Sequence, residues 1–227
     1  MTSHPGRQLA AGLFIGAFVL AAQAGELAAN SSDGRFAVRA SEGAATLEVR
    51  DAASGRLLRE IPVIDRNKAP ALLAWIIDLP ARSSFLAGLA GRPEAWELPY
   101  GSGAEPVFEG LVHDYRMGEA IASTGPLPVR RIPLQAPLPR PAMDARQIHA
   151  LWVDPREPTR LRVLNLDVRR EIAVIETGLA LDSRRHASRD GEGRRRVAIG
   201  IAGAIDYALI DATRWRFLGR SPEPHSP

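Results

Sequence analysis

The sequence contains no cysteine. That absence excludes disulfides, thiolate-held zinc, iron–sulfur clusters, a lipid-modified amino-terminal cysteine and a covalently attached CxxCH haem. Lysine is nearly missing as well: Lys68 is the only one, and every other fixed cation is arginine. GC-rich coding bias explains such a skew without any function. Arginine is nevertheless the better partner for carboxylates, because its planar fork donates two parallel hydrogen bonds. The net charge of +3 over 227 residues is too weak to argue for nucleic acid as a partner. There is no GxSxG elbow, no HExxH pair, no Walker loop and no GxGxxG after a strand, so the hydrolase, zinc-protease and nucleotide-binding signatures are all lacking. The five histidines are scattered, which argues against a zinc site. Beyond the first two dozen residues there is no long apolar run.

Those first residues read as an export signal spanning 1–24. Arg7 supplies the positive start, Leu9 to Ala22 is apolar throughout, and Ala22-Gln23-Ala24 has the small-x-small form that signal peptidase recognises. At about 14 residues the run falls short of the roughly 20 that cross a bilayer as a helix. A periplasmic location after cleavage is the expectation, with an uncleaved amino-terminal membrane anchor as the alternative. The roughly 200 residues that remain are enough for one domain with a real core, which needs no disulfides in that compartment. Residues 25–220 are expected to form it, with 221–227 as a disordered tail.

What the chain does have is a recurring hairpin: apolar strand, Asp-centred turn, apolar strand. It appears as Thr46 to Val63 around Asp51 and Gly55, as Leu161 to Ile175 around Asp167, and as Ala204 to Phe217 around Asp211. A degenerate copy runs from Pro93 to Tyr100, with Pro106 to Phe108 as its returning strand. Apolar and polar residues alternate with the period of two that half-buried strands need, and Asp and Gly suit the turns. Further strands are expected at Arg35–Ala40, Ala71–Asp78, Ser83–Leu89, Gln147–Val153 and Val197–Ala202. The fold class is all-β: about four propeller blades of four antiparallel strands, or a β-sandwich, which periodicity alone leaves equally open. Three segments break the rhythm. Gly101–Gly103 is a turn. Pro126–Pro141, with six prolines, must be a connection or an edge. Arg184–Arg196, with six arginines, is expected as a solvated loop rather than an anion-binding patch.

One stretch concentrates chemistry. From His113 to Ala120 the sequence reads HDYRMGEA and does not alternate. It follows the strand-like Pro106 to Val112, so it is expected to be a loop at a strand end, where binding residues gather. His113 could ligate iron or shuttle a proton near neutral pH, or could simply be a satisfied side chain. Asp114 could orient it, and Met117 is a second soft donor or a packing residue. Arg116, Arg130 and Arg131 could grip carboxylates at two points each.

The run AEPVFEGLVHDYRMGEAIA (Ala104 to Ala122), followed by VRRIPL (Val129 to Leu134), resembles the corresponding stretch of the haem d1 family. That family comprises the NirF-type biosynthesis proteins and the d1 domain of cytochrome cd1 nitrite reductase. The resemblance extends from about Lys68 to Leu179, including Arg92 to Tyr100 (RPEAWELPY) and Val163 to Ile172 (VLNLDVRREI). It implies a β-propeller, and thereby prefers the propeller to the sandwich. The implied cofactor is haem d1 or its precursor tetrapyrrole, with His113 pointing at it as the ligand to the haem iron. Asp114, Tyr115, Arg116, Glu119, Arg130 and Arg131 would complete the binding residues. The implied role is haem d1 maturation. It could be enzymatic, as a tetrapyrrole-modifying oxidoreductase with His113 catalytic. It could instead be that of a carrier or interaction scaffold that hands over, or has lost, the cofactor, and the losses described next favour binding over catalysis.

The departures from the family are specific. The second histidine of the nitrite reductase has no counterpart in Asp65 to Lys68, and the later glycine-rich loop with its Pro-His pair is replaced by Gly178 to His186. Without a c-type haem, nitrite reduction with internal electron delivery is excluded. A full propeller of the family needs nearly twice this length, and a closed four-bladed ring is too narrow for a central haem. The first and last blades of an incomplete ring expose unpaired strand edges, which invite association. A homodimer, or a partner such as another maturation protein or the nitrite reductase, is therefore expected to cover them.

Overall fold

The computed structural model describes residues 27–108, 123, 125–189 and 195–222. They form four antiparallel sheets of four strands, each running in simple sequence order. Blade 1 contains β1 (Ala28–Asn30), β2 (Phe36–Ala40), β3 (Thr46–Asp51) and β4 (Leu57–Pro62). Blade 2 contains β5 (Leu73–Leu79), β6 (Ser84–Leu89), β7 (Glu94–Pro99) and β8 (Arg130–Pro133). Blade 3 is β9 (Ala142–Met143), β10 (His149–Val153), β11 (Arg160–Asn165) and β12 (Arg170–Glu176). Blade 4 is β13 (Leu181–Arg189), β14 (Arg195–Ile201), β15 (Tyr207–Asp211) and β16 (Arg216–Ser221). This is the all-β propeller architecture that the family resemblance implies and that the hairpins alone leave open beside a sandwich. No helix among the described residues is long and apolar enough to cross a membrane.

Period-two alternation decides how the blades stack. On β6, Phe85, Ala87 and Leu89 face blade 1, where they join Val38, Leu47, Val49 and Ile61. Leu86, from the other face, joins Trp152 and Leu164 of blade 3. On β10, Leu151 turns the opposite way and packs with Ile199, Ala208 and Ile210 of blade 4. Among the described residues three apolar clusters thus join blades 1–2, 2–3 and 3–4, and none joins blade 4 to blade 1. Because blade 2 is covered on both sides, every residue of β6 and β7 is buried. The last strands of blades 3 and 4, β12 and β16, instead alternate in exposure. Gly88 lets one seam close: a Cβ there would lie 2.4 Å from Trp75 Nε1. The bare backbone leaves room for Trp75 to donate to Leu138 O at 2.8 Å.

Two local expectations are corrected. The strand that returns beside β7 is not Pro106–Phe108 but β8, with Trp96 opposite Arg131 and Glu97 opposite Arg130. The apolar residues of 106–108 mimic a strand, but β8 brings Ile132, fully buried between Leu134 and Ala95. Its one proline, Pro133, is tolerated because β8 is an edge strand. Of the arginine-rich 184–196, residues 184–189 and 195–196 are strand rather than loop: they belong to β13 and β14, paired from Leu181↔Ile201 to Arg189↔Arg195, and 190–194 lie outside the described residues. The apolar run Val197–Ile201 fixes that pairing in the blade 3–4 seam, and the arginines are carried along with it.

The connections β5–β6, β7–β8, β9–β10 and β11–β12 emerge at one end of the blades, here called the upper end. The segment bearing HDYRMGEA belongs to the β7–β8 connection, and most of it lies outside the described residues. Its neck is described: Ser123 N donates to Val107 O at 2.8 Å.

Candidate functional site: an arginine–carboxylate cleft at the upper end

Strand β7 is apolar except for two glutamates, and alternation sends them to opposite seams. Both are about 2% exposed, and an unpaired carboxylate at that depth would cost several kcal/mol. Each is met by arginines. Glu97 Oε1 accepts from Arg82 Nε at 3.0 Å and Ser84 Oγ at 3.3 Å, and its Oε2 accepts from Arg130 Nη1 at 3.1 Å. Arg82 crosses to blade 3, where its Nη1 reaches Asp167 Oδ1 at 2.5 Å. Burial alone would lower the Arg82 pKa, but the bonds to Asp167 and Glu97 outweigh it and raise the value. Arg130 also donates to Glu105 O at 3.3 Å, and Arg169 Nη2 meets Glu105 Oε2 at 3.0 Å. These groups line a cleft of about 250 Å³ between blades 2 and 3.

The blade 1–2 seam holds the counterpart. Glu94 Oε1 accepts from Arg131 Nη1 at 2.8 Å and from Trp96 Nε1 at 2.9 Å, while Oε2 accepts from Arg66 N at 2.7 Å. Arg131 also donates to Ile64 O at 2.6 Å and lies over the Trp96 ring, 5.0 Å from its centre. This is a closed structural knot, with Trp96 fully buried beneath the guanidinium.

Between blades 3 and 4, His149 is fixed on every side. Its Nδ1 lies 2.9 Å from Asp144 Oδ2, its Nε2 lies 3.3 Å from Asn165 Nδ2, and its ring packs on Trp215 at 4.9 Å. With both ring nitrogens engaged it offers no open position to a metal. Among the described residues no cluster of three or more His, Asp or Glu is arranged to hold an ion.

The residues expected from sequence fall into two groups. His113, Asp114, Tyr115, Arg116 and Glu119 lie outside the described residues. Arg130 and Arg131 sit side by side on β8 but point into different seams, each committed to a buried glutamate. Arg82, Glu97, Glu105 and Arg169 carry no signal as site residues in the sequence, and Asp167 stands out there only as a turn residue. The available signal was Glu94 and Glu97 in an otherwise apolar strand, since buried acids require cations.

No protein-family model matches this sequence, and no curated protein does. A solved structure does: NirN, a dihydro-haem d1 dehydrogenase in complex with DHE, superimposes with a TM-score of 0.65 at 22% identity. The match covers 85% of this chain and 37% of that one, so the chain spans little more than a third of the NirN length. At this identity the likeness speaks for the fold: the chain is a four-bladed β-propeller array similar to part of NirN.

Proposed function

We propose that this chain is an exported haem d1 maturation protein that binds haem d1 or its dihydro precursor at the upper end of the blades. The observation that carries the reading is spatial. The HDYRMGEA segment springs from the end where the arginine–carboxylate cleft opens, on blades similar to those of a structure that contains DHE. The described residues suit the periphery of a tetrapyrrole rather than its iron. Arg82, Arg130 and Arg169 face Glu97, Asp167 and Glu105, and of these acids Glu105 is 76% exposed. A carboxylate of the ligand can replace Glu105 on Arg169 and leave the charge balance unchanged. By the family resemblance His113 would be the residue to hold the iron; His149 is engaged at both nitrogens. Bound there, the tetrapyrrole would supply the redox chemistry; the chain would supply charge matching and orientation. We favour binding and transfer over turnover, with a second copy or a maturation partner covering the outer faces of blades 1 and 4.

A visible absorption titration of the whole chain with haem d1, beside His113→Ala, tests this. A saturable shift that disappears in the variant supports the proposal. No shift at micromolar protein with intact circular dichroism leaves the scaffold reading, which the internal commitment of Arg130, Arg131 and His149 already favours as the second choice.

A further inference from the structure

Asn165 is shared between the fixed histidine of the blade 3–4 seam and the turn that feeds the upper cleft. Its Oδ1 accepts from Asp167 N at 2.9 Å and Val168 N at 3.2 Å. Two backbone donors on one side leave its amide a single orientation, with Nδ2 toward His149 Nε2 at 3.3 Å. The other ring nitrogen faces a carboxylate, which can only accept: Asp144 Oδ2 lies 2.9 Å from Nδ1. These partners select one form of the ring, neutral, with its proton on Nδ1 and a bare Nε2 that takes the Asn165 N–H. The turn that Asn165 caps also closes the cleft. Asp167 Oδ1 receives Arg82 Nη1 at 2.5 Å, and Arg169 Nη2 meets Glu105 Oε2 at 3.0 Å.

A second proton on the ring disrupts this arrangement at one point only. Asp144 suits the imidazolium: burial alone would raise its carboxyl, but bonds from His149 and Ile148 hold it below the ordinary value, so it stays ionised wherever imidazoles titrate. Asn165 does not suit it, because Nε2–H would then point at the amide NH2. Swinging the amide aside, or turning it over to offer Oδ1 to the ring, withdraws that oxygen from Asp167 N and Val168 N. The other charged groups on the elements around the ring do not intervene. Asp167 and Arg169 are engaged in the cleft. Asp211 caps Thr213 N and Arg214 N and lies 3.7 Å from Arg216 Nε. Arg146, Arg170 and Arg214 are exposed. Trp215 presents an uncharged ring. We propose that His149 is a proton-operated latch on the upper cleft: protonation at Nε2 releases Asn165 from the turn, and with it the grip of Asp167 on Arg82 and of Arg169 on Glu105. The latch belongs to the chain alone and stands whether or not haem d1 binds.

The test is an NMR titration of the whole chain from about pH 8 to 5, the range in which histidines ordinarily change charge. It follows the His149 ring, the hydrogen-exchange protection of the Asp167 and Val168 N–H groups, and the Arg82 Nε–H resonance. Protection at 167 and 168 should fall about tenfold, the worth of one hydrogen bond, with the midpoint of the His149 ring. Arg82 Nε–H should shift with the same midpoint. His149→Gln removes the titrating ring and should abolish both changes. Asn165→Asp separates the latch from a mere effect of charge: its carboxylate accepts from the turn and from Nε2–H together, so 167 and 168 should stay protected throughout. Protection that is flat through the ring midpoint in wild type overturns the inference, as does a ring that stays neutral to the end of the titration. A fall of wild-type size in either variant also overturns it, because the proton then acts by a route other than Asn165.

Discussion

Glu97 is the residue on which the upper cleft turns. It holds Arg82 and Arg130 at once while 2% exposed. Replacing it by Gln keeps the shape and removes the charge, leaving two guanidinia partly uncompensated. Glu97→Gln should cost about 3 kcal/mol in denaturant unfolding. Glu105 is the opposite case, an exposed acid whose loss should barely change stability. Under the haem d1 reading, Glu105→Ala should tighten haem d1 binding several-fold by freeing Arg169, and weaker binding would place the ligand's carboxylates elsewhere. Arg169 itself has a left-handed backbone, φ +54°, which a non-glycine residue adopts at a cost of roughly 1 kcal/mol. Arg169→Gly should therefore raise stability by about 0.5–1 kcal/mol while weakening haem d1 binding. None of these roles could be read from sequence. Arg82 and Asp167 are 85 positions apart, and only the stacking of blades 2 and 3 brings them together.

At the level of hairpins, the sequence is far more informative, because a turn is local. Asp51 Oδ1 accepts from Ser54 N at 2.7 Å, and Asp211 Oδ1 accepts from Thr213 N at 2.8 Å and Arg214 N at 3.0 Å. These are the Asp-centred turns that the alternation announces. The left-handed position of the outer turn is Gly55 in blade 1, but Arg169 in blade 3 and Trp215 in blade 4. The non-glycine residues are the ones whose side chains reach out, to Glu105 and His149. Asp144 shares the capping role: burial alone would raise its carboxyl, but bonds from His149 and Ile148 hold it below the ordinary value. Asp51 is lowered chiefly by the Ser54 hydroxyl and then the Ser54 N–H, and Asp211 by the N–H groups of Thr213 and Arg214. A carboxyl depressed in the folded state stabilises it above the unfolded pKa and loses that contribution as pH falls through the folded pKa. Melting temperature should therefore be level from pH 7 to 5 and fall steeply below about 4. Asp144→Asn should flatten part of that fall.

For the whole molecule, the order of blades follows the chain and each seam joins neighbours, so local hairpins come close to dictating the architecture. What alternation could not choose between, sandwich or propeller, is settled by the seams: the sheets pack face to face in series, and blade 2 buries both faces. Pro106–Phe108 misled as a strand for the same physical reason that Arg184–Arg196 misled as a loop. Local composition does not register whether a neighbouring sheet stands ready to pair or cover the segment. The outer faces of blades 1 and 4 take part in none of the three apolar clusters. If a second copy covers them, analytical ultracentrifugation should show a concentration-dependent dimer, and a compact monomer at all concentrations would remove that partner.

The neck between Val107 and Ser123 has an evolutionary consequence. Because β7 and β8 take their register from Glu94↔Pro133 to Glu97↔Arg130, on the blade side of that neck, the pairing of the blade is set by residues other than 109–122. Selection on the ladder and selection on the sequence 109–122 can therefore act on different residues of one connection.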